Sequence, residues 1–408
     1  MNNPYRRSAS YRAGSAALLI LLALSIAGCS DLPFLSQPTP APVIIIATAA
    51  PLPATPELPV PEAPVDTPAP AEPAPADILP TSTPAAESVL ARVQARGRLL
   101  CGVNADLPGF GFYDNIRSRW FGFDVDFCRA VAAAVLGDAN AVEFIALDTS
   151  GPNERFEAIR SGRVDVLFRN TTWTLGRNIN GVAFGPTTFH DGQTFMVRRN
   201  AGISTLEDLE GKVICVARGT TSEQNLNDDF AARGIAFTAE VRDDENRLYP
   251  AYDDGECDAV TSDSSQLASK REQLDNPNDH IILGDRISRE PLGPALPRND
   301  NQWFDVISWT VFATIYAEEL RVDQSNAERL RSNATDPRIR RLLGLEGGFG
   351  EGLGLTNDFA YQIISQVGNY GDIYNRNLGP QTEFNLDRGP NKAWNLGAGG
   401  VLASPPFR

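Results

Sequence analysis

From residue 99 onward the chain alternates short apolar runs with amphipathic stretches, and the alternation runs twice. The first cycle opens with LLCGVNADLPGFGF, a strand entering a Gly-rich loop. FDVDFCRAVAAAVLGD follows as a helix, because Phe127, Val131, Ala134 and Val135 recur at helical spacing and Gly137 stops it. VEFIAL reads as a strand and ERFEAIRSG as a helix; Val164, Val166, Leu167 and Phe168 make the next strand. After Val197 the pattern restarts. STLEDLEGK is expected to be a serine-capped helix, VICVA a buried strand, and RGTTSEQNLNDDFAARG a Gly turn opening a helix. IAFTAEV, ENRLYPAYDDG and CDAVTSDSS continue as strand, helix and strand, with Pro250 marking a break or kink. Strands joined through helices in this rhythm form an α/β sheet with parallel strands.

A second unit of this kind sits inside the first if the chain later returns, as EPLGPALPRND indicates. A long amphipathic helix, 303–320, then carries Trp309, Phe312, Ile315 and Tyr316 on its apolar side. Two lobes joined by two crossings leave a cleft at the C-terminal ends of the strands, where open α/β sheets bind ligands. The expected division is 88–195 for the first part of lobe 1, 196–288 for lobe 2, 289–320 for the return, and 321–408 for a C-terminal extension packed on the body. Within the extension, GLEGGFGEGLGL is glycine-dense but lacks the Lys-Ser/Thr of a phosphate loop, so it reads as an irregular loop. DFAYQIISQVG reads as a helix.

Ahead of the body the sequence is an address. Arg6, Arg7 and Arg12 precede an apolar run, 16–26, that is too short for a typical membrane span. The run ends in IAGC, which looks like a bacterial lipobox: residues 1–28 would be a cleaved signal peptide and Cys29 the lipidated residue. Residues 29–87 are Pro, Ala and Thr with scattered acids, too poor in apolar surface to fold, and read as a disordered tether. Such a chain is exported and lies outside the cytoplasm, in the cell envelope. Export makes disulfides available to Cys101, Cys128, Cys215 and Cys257. Pairing within each region, 101 with 128 and 215 with 257, is the shortest, but four cysteines allow three pairings and free thiols stay open. A net charge of −15 argues against nucleic acid as partner and suits a soluble monomer. The two histidines, His190 and His280, support no metal spacing and no Cys/His nucleophile, and no cofactor is expected.

Three loops offer complementary chemistry. After the strand that ends near Phe168 comes a hydroxyl-rich turn, Asn170-Thr171-Thr172, and Thr174 is a suitable N-cap for a helix. Arg177 then falls in that helix's first turn, where a cation opposes the helix dipole unless an anion sits between. Its planar fork suits a carboxylate. Gly219 permits close backbone approach, and the amides of Thr220 and Thr221 open a helix, a ready anion site. Asp263 ends a strand and can accept from an ammonium. A zwitterion with adjacent carboxylate and ammonium would satisfy all three groups, and Phe110 with Phe112 could wall its side chain. Plainer readings exist for each: a solvated arginine, a helix-capping Gly-Thr-Thr turn with Thr220 and Glu223 as a capping box, and an Asp263–Gln266 capping box.

These segments, with CGVNADLPGF, GFDVDFCRAVAAAV, RNTTWTLGR, FHDGQTFMVR, CVARGTTSE, CDAVTSDSS, EPLGPALP, QWFDVISWT and RRLLGLEGGFGEGLGLTNDFAYQIISQVGNYG, resemble the periplasmic amino-acid-binding proteins of ABC transporters. The match spans residues 90–408 and resembles most the general L-amino-acid-binding branch. The resemblance implies a two-lobed, type II periplasmic-binding fold that delivers L-amino acids to a permease without catalysis. It also implies roles: Arg177 holds the α-carboxylate, helped by backbone amides at Thr172 and Thr221. Asp263 holds the α-ammonium, aided by Asn170 and the carbonyl of Arg169. The lipobox and long spacer depart from the plain pattern and imply a membrane-tethered receptor. Two alternatives remain. One is an enzyme on the same fold, such as a cyclohexadienyl dehydratase, with Glu223 as the available second acid. The other is a sensory ligand-binding protein.

Overall fold

The computed structural model describes residues 88–408 apart from Asn153 and Asp244. The expected signal peptide, Cys29 and the tether lie outside the described residues.

The two cycles of the sequence become two five-stranded sheets. The first has the order Val142–Ala146, Leu99–Val103, Val166–Leu167, Ala295–Pro297, Val182–Phe184. Its first three strands are parallel, with Cys101 opposite both Phe144 and Val166. The return strand Ala295–Pro297 lies antiparallel between its neighbours. The second sheet has the order Thr238–Arg242, Val213–Ala217, Ala259–Asp263, Gln193–Arg198, His280–Ile282. There too three parallel strands are extended by antiparallel ones. The all-parallel expectation therefore holds for the βαβ units and fails where the chain enters or leaves a lobe, since those segments need no crossover helix. Two short antiparallel strands, Phe189–Asp191 and Glu290–Leu292, pair to each other between the sheets and form the double crossing.

Local chemistry explains most element ends. Gly97, Gly137 and Gly234 take left-handed conformations just past the helices Val89–Arg96, Phe123–Leu136 and Thr221–Arg233. Four expectations are corrected. STLEDLEGK gives only a single 3-10 turn, Glu207–Leu209, because Asp208 turns back to accept from the Ser204 and Thr205 amides and the capping runs in reverse. Pro250 stands inside the helix Glu245–Asp253 as its sixth residue, and the helix runs on past it with one backbone bond forfeited. GLEGGFGEGLGL contains a short helix, Phe349–Leu353, between two left-handed glycines. Asp263 makes no cap bond to the helix Ser264–Arg271, so the Asp263–Gln266 capping box does not form.

Both disulfides join residues of one lobe, Cys101 to Cys128 and Cys215 to Cys257, with Cα separations of 6.0 and 5.7 Å. The first ties a central strand to the helix Phe123–Leu136. That helix and Asn301–Glu319 form one core with the extension helices Phe359–Gln366 and Tyr370–Asn377. The joint is polar as well as apolar: Arg376 and Asn377 converge on the buried Asp126 at 2.7 Å. No described helix is long and apolar enough to cross a membrane.

Candidate functional site

The strand ends of the two sheets face each other across a small cavity. Lobe 1 contributes Thr149, Arg155, Asn170, Thr172 and Arg177; lobe 2 contributes Thr220, Thr221, Ser222, Ser262, Asp263 and Gln266.

Thr174 caps the helix Leu175–Ile179, its hydroxyl accepting from the Arg177 amide at 3.2 Å. That cap fixes the backbone, and the Arg177 side chain turns back to donate to the Thr172 carbonyl at 2.7 Å. Its guanidinium carbon lies 5.2 Å from the centre of the Phe156 ring. Burial lowers its pKa, while Asp263 and Glu290 oppose that shift. On the other lobe Thr220 caps the helix Thr221–Arg233, accepting from the Glu223 amide at 3.2 Å. Glu223 in turn accepts from Gly219 N at 2.7 Å, one residue further back than the expected capping box. The Thr172 and Thr221 hydroxyls, one from each lobe, stand 3.4 Å apart.

Asp263 is the group least at rest. It ends the strand Ala259–Asp263, is 5% exposed, and its Oδ1 is buried without a hydrogen-bond partner. Burial raises its pKa well above the usual carboxylate range, Asp191 and Glu290 push the same way, and Arg177 and Arg155 pull it back. An unpaired buried carboxylate oxygen costs a few kcal/mol unless a donor reaches it.

Not every expected residue is brought in. Phe110 is 1% exposed and packs edge-on against Phe123 and Phe189 in the lobe 1 core, with ring centres 6.0 and 5.3 Å away. It lies outside the lining of the cavity: Gly111, whose Cα lies too close to the Asn104 carbonyl for any Cβ, folds the loop back on itself. Gly219 lies outside the cavity lining, its amide taken by Glu223. The Arg169 carbonyl accepts from the Thr171 hydroxyl, and its guanidinium binds the Leu147 carbonyl at 2.8 Å and lies 3.6 Å from Glu245 of lobe 2. Asn170 holds a positive φ of 24° and bridges the lobes by donating to Gln266 at 2.8 Å.

Two residues escaped the sequence reading. Arg155 begins the helix Arg155–Arg160, is 4% exposed, and its Nε is buried without a partner. The signal was present in ERFEAIRSG, a cation in a helix's first turn, the same mismatch that marked Arg177. Glu290, on the return crossing strand and 2% exposed, accepts from Thr172 of lobe 1 at 2.6 Å and from Asn225 of lobe 2 at 2.7 Å. It is a lone acid in a short strand, and only folding shows what it joins.

The arrangement sets the buried Arg155 and half-buried Arg177 guanidinium groups and a helix N-terminus around one small cavity with a carboxylate oxygen that has no partner. Comparison with known proteins agrees. Over 330 residues the chain is 44% identical to the general L-amino acid-binding periplasmic protein AapJ of Rhizobium johnstonii, covering 80% of this chain and 95% of that protein. It is 43% identical to the glutamate/glutamine/aspartate/asparagine-binding protein BztA of Rhodobacter capsulatus, covering 79% and 94%. A solved ABC transporter/periplasmic binding protein from Brucella ovis with glutathione bound shares the fold with a TM-score of 0.76 and 42% identity, covering 79% of this chain and 100% of that one. These relatives are binding proteins rather than enzymes. Residues 99–319 match the family model, and the chain belongs to the bacterial extracellular solute-binding proteins, family 3.

Proposed function

We propose that this chain is the receptor of an ABC importer and captures L-amino acids in the cavity between its lobes. The buried, partnerless Asp263 oxygen, sharing a cavity with Arg177, carries the reading: one group asks for a cation, the other for an anion. The ligand's α-ammonium binds Asp263. Its α-carboxylate binds Arg177 with help from Thr172, Thr221 and the N-terminus of the helix Thr221–Arg233. The buried Arg155 guanidinium favours side chains that end in an acceptor, such as a carboxylate or amide. Lobe closure over the guest is the signal a permease reads. The lipobox at Cys29 and the spacer 29–87 tether the receptor to the outer face of the cytoplasmic membrane, and it works as a monomer.

The test is calorimetric titration of the mature protein with each of the twenty amino acids, and with glutathione because a relative holds it. Saturable binding that Arg177→Ala and Asp263→Asn weaken supports the assignment. Silence from every compound rejects it.

A further inference from the structure

The C-terminal extension reaches the crossing strand Phe189–Asp191 and holds it residue by residue. Tyr370 donates to the Thr188 carbonyl at 2.7 Å, and Tyr374 stacks on Phe189 with the ring planes 5° apart. Asn391, 3% exposed, then makes two bonds to the main chain of His190. Its Oδ1 accepts from the His190 amide at 2.6 Å, and its Nδ2 donates to the His190 carbonyl at 2.9 Å. In the two-stranded crossing His190 lies opposite Pro291, which has no N–H to give. Both His190 main-chain groups thus face away from that partner, and the Asn391 carboxamide stands where a third strand would.

Asn391 is itself held by lobe 1. Its amide and carbonyl bond Arg388, at 2.6 and 2.7 Å, and the Arg388 guanidinium is paired with Glu318 of the helix Asn301–Glu319. The next residue along the crossing strand belongs to the other lobe. The Asp191 carboxylate accepts from the Ser264 hydroxyl at 2.6 Å and the Ser265 amide at 3.1 Å, capping the lobe 2 helix that Asp263 leaves uncapped. Gly192 follows, and a Cβ there would meet the Ser288 carbonyl at 2.8 Å.

We infer that Asn391 is a positioning residue for lobe closure: by splinting His190 to lobe 1 it confines the bending of this crossing to the His190–Asp191 step, since Asp191 and Gly192 are held by lobe 2. The inference rests on the two-lobed receptor reading for its purpose, but its geometry needs no ligand. A strand free at both ends could twist along its whole length, and the lobes would meet in many orientations. A strand gripped up to one residue and released at the next bends at one place, so the halves of the site meet in register. The extension, absent from any role in lining the cavity, thereby acts on it.

The test uses the mature protein with labels at Asn140 on lobe 1 and Gln224 on lobe 2, both exposed. Two variants are compared with the parent. Asn391→Ala removes both bonds; Asn391→Asp keeps the size and the acceptor but places an oxygen against the His190 carbonyl, and so remains informative should the alanine variant fold poorly. Without added ligand, the distribution of energy transfer between the labels is expected to broaden in both variants, and amide exchange at His190 to speed at least tenfold in Asn391→Ala, which alone loses the acceptor of that N–H. With L-glutamate as probe, Arg177 and Asp263 being untouched, affinity is expected to fall several-fold. An unchanged His190 exchange rate in Asn391→Ala, or an unchanged label distribution in either variant, overturns the inference. Both readings are made without ligand, so a parent protein silent to every amino acid would strike the proposed function alone.

Discussion

Arg177 and Asp263 show how two ordinary side chains become a site. Asp263 is buried and Arg177 half-buried, and each has its charge made uncomfortable by desolvation before the other opposes it. An Asp263 oxygen without a partner beside the Arg177 guanidinium is what the dipolar guest proposed above would use. Truncating Arg177 to alanine should strand the guest's carboxylate and cost at least about 2–3 kcal/mol of affinity, a loss of roughly 30- to 150-fold. Titration calorimetry reads this directly, and an unchanged affinity would remove Arg177 from the site.

A second acid lies behind the cavity. Asp124 accepts from the Asn170 amide at 2.9 Å, and burial pushes its carboxyl from 3.8 up to about 7, against the pull of that amide and of Arg169. The folded state therefore holds this proton more tightly than the unfolded chain. The benefit is fully present below the unfolded value and is lost as pH rises through about 7. Stability to denaturant should fall from pH 4.5 to pH 8 by up to about 4 kcal/mol from this group. Asp124→Asn should flatten that slope; an equally steep slope in the variant would assign it elsewhere.

At the scale of elements, the pieces are fixed by chemistry borrowed from neighbours. The helix Ser264–Arg271 is capped by Asp191 of the crossing strand rather than by its own Asp263, which is thereby left for the cavity. Disulfides close loops of 27 and 42 residues around the central strands of each lobe. By the chain-entropy relation such loops contribute about 3.5–4 kcal/mol each. Replacing Cys215 and Cys257 together by alanine should lower the unfolding free energy by roughly that amount, as a shift in the denaturation midpoint. A shift under about 1 kcal/mol would show that the unfolded chain is already constrained.

Across the whole molecule the lobes meet through single polar contacts. Besides Asn170 with Gln266, Ser269 donates to the Pro108 carbonyl and Lys270 to the Asp106 carbonyl, each at 2.6 Å. Each such bond contributes about 1 kcal/mol net, so the proposed closure would rest on what lies in the cavity as much as on these contacts. The extension adds to the lobe 1 core and to one crossing strand. Residues 31–87 are read from their composition as a passive spacer, so on deleting them affinity should stay within about twofold of the parent by the same calorimetry. A large loss would give the spacer a part in binding.

Much of this was legible in the chain itself. Helical spacing in FDVDFCRAVAAAVLGD, the glycines that stop helices, and the alternation of strand and helix are local consequences of backbone geometry, so they can be read without coordinates. Arg177 was legible because a cation in a helix's first turn is a local electrostatic conflict, and Arg155 carried the same mark unread. Local rules misled where a distant residue competed for the same bond. Asp263 looked like a cap until Asp191 took that place, and Phe110 looked like a wall until the loop folded it into the core. Glu290, and Asn391 at His190, were invisible for a related reason: a hydrogen bond across 65, 118 or 201 residues leaves no period in the sequence. What the sequence determined alone is what neighbours along the chain impose: elements, caps and the α/β class. Which carboxylate stays unpartnered, and where the strand between the lobes can bend, was decided only by the tertiary structure, because those depend on which distant groups reach the same atoms first.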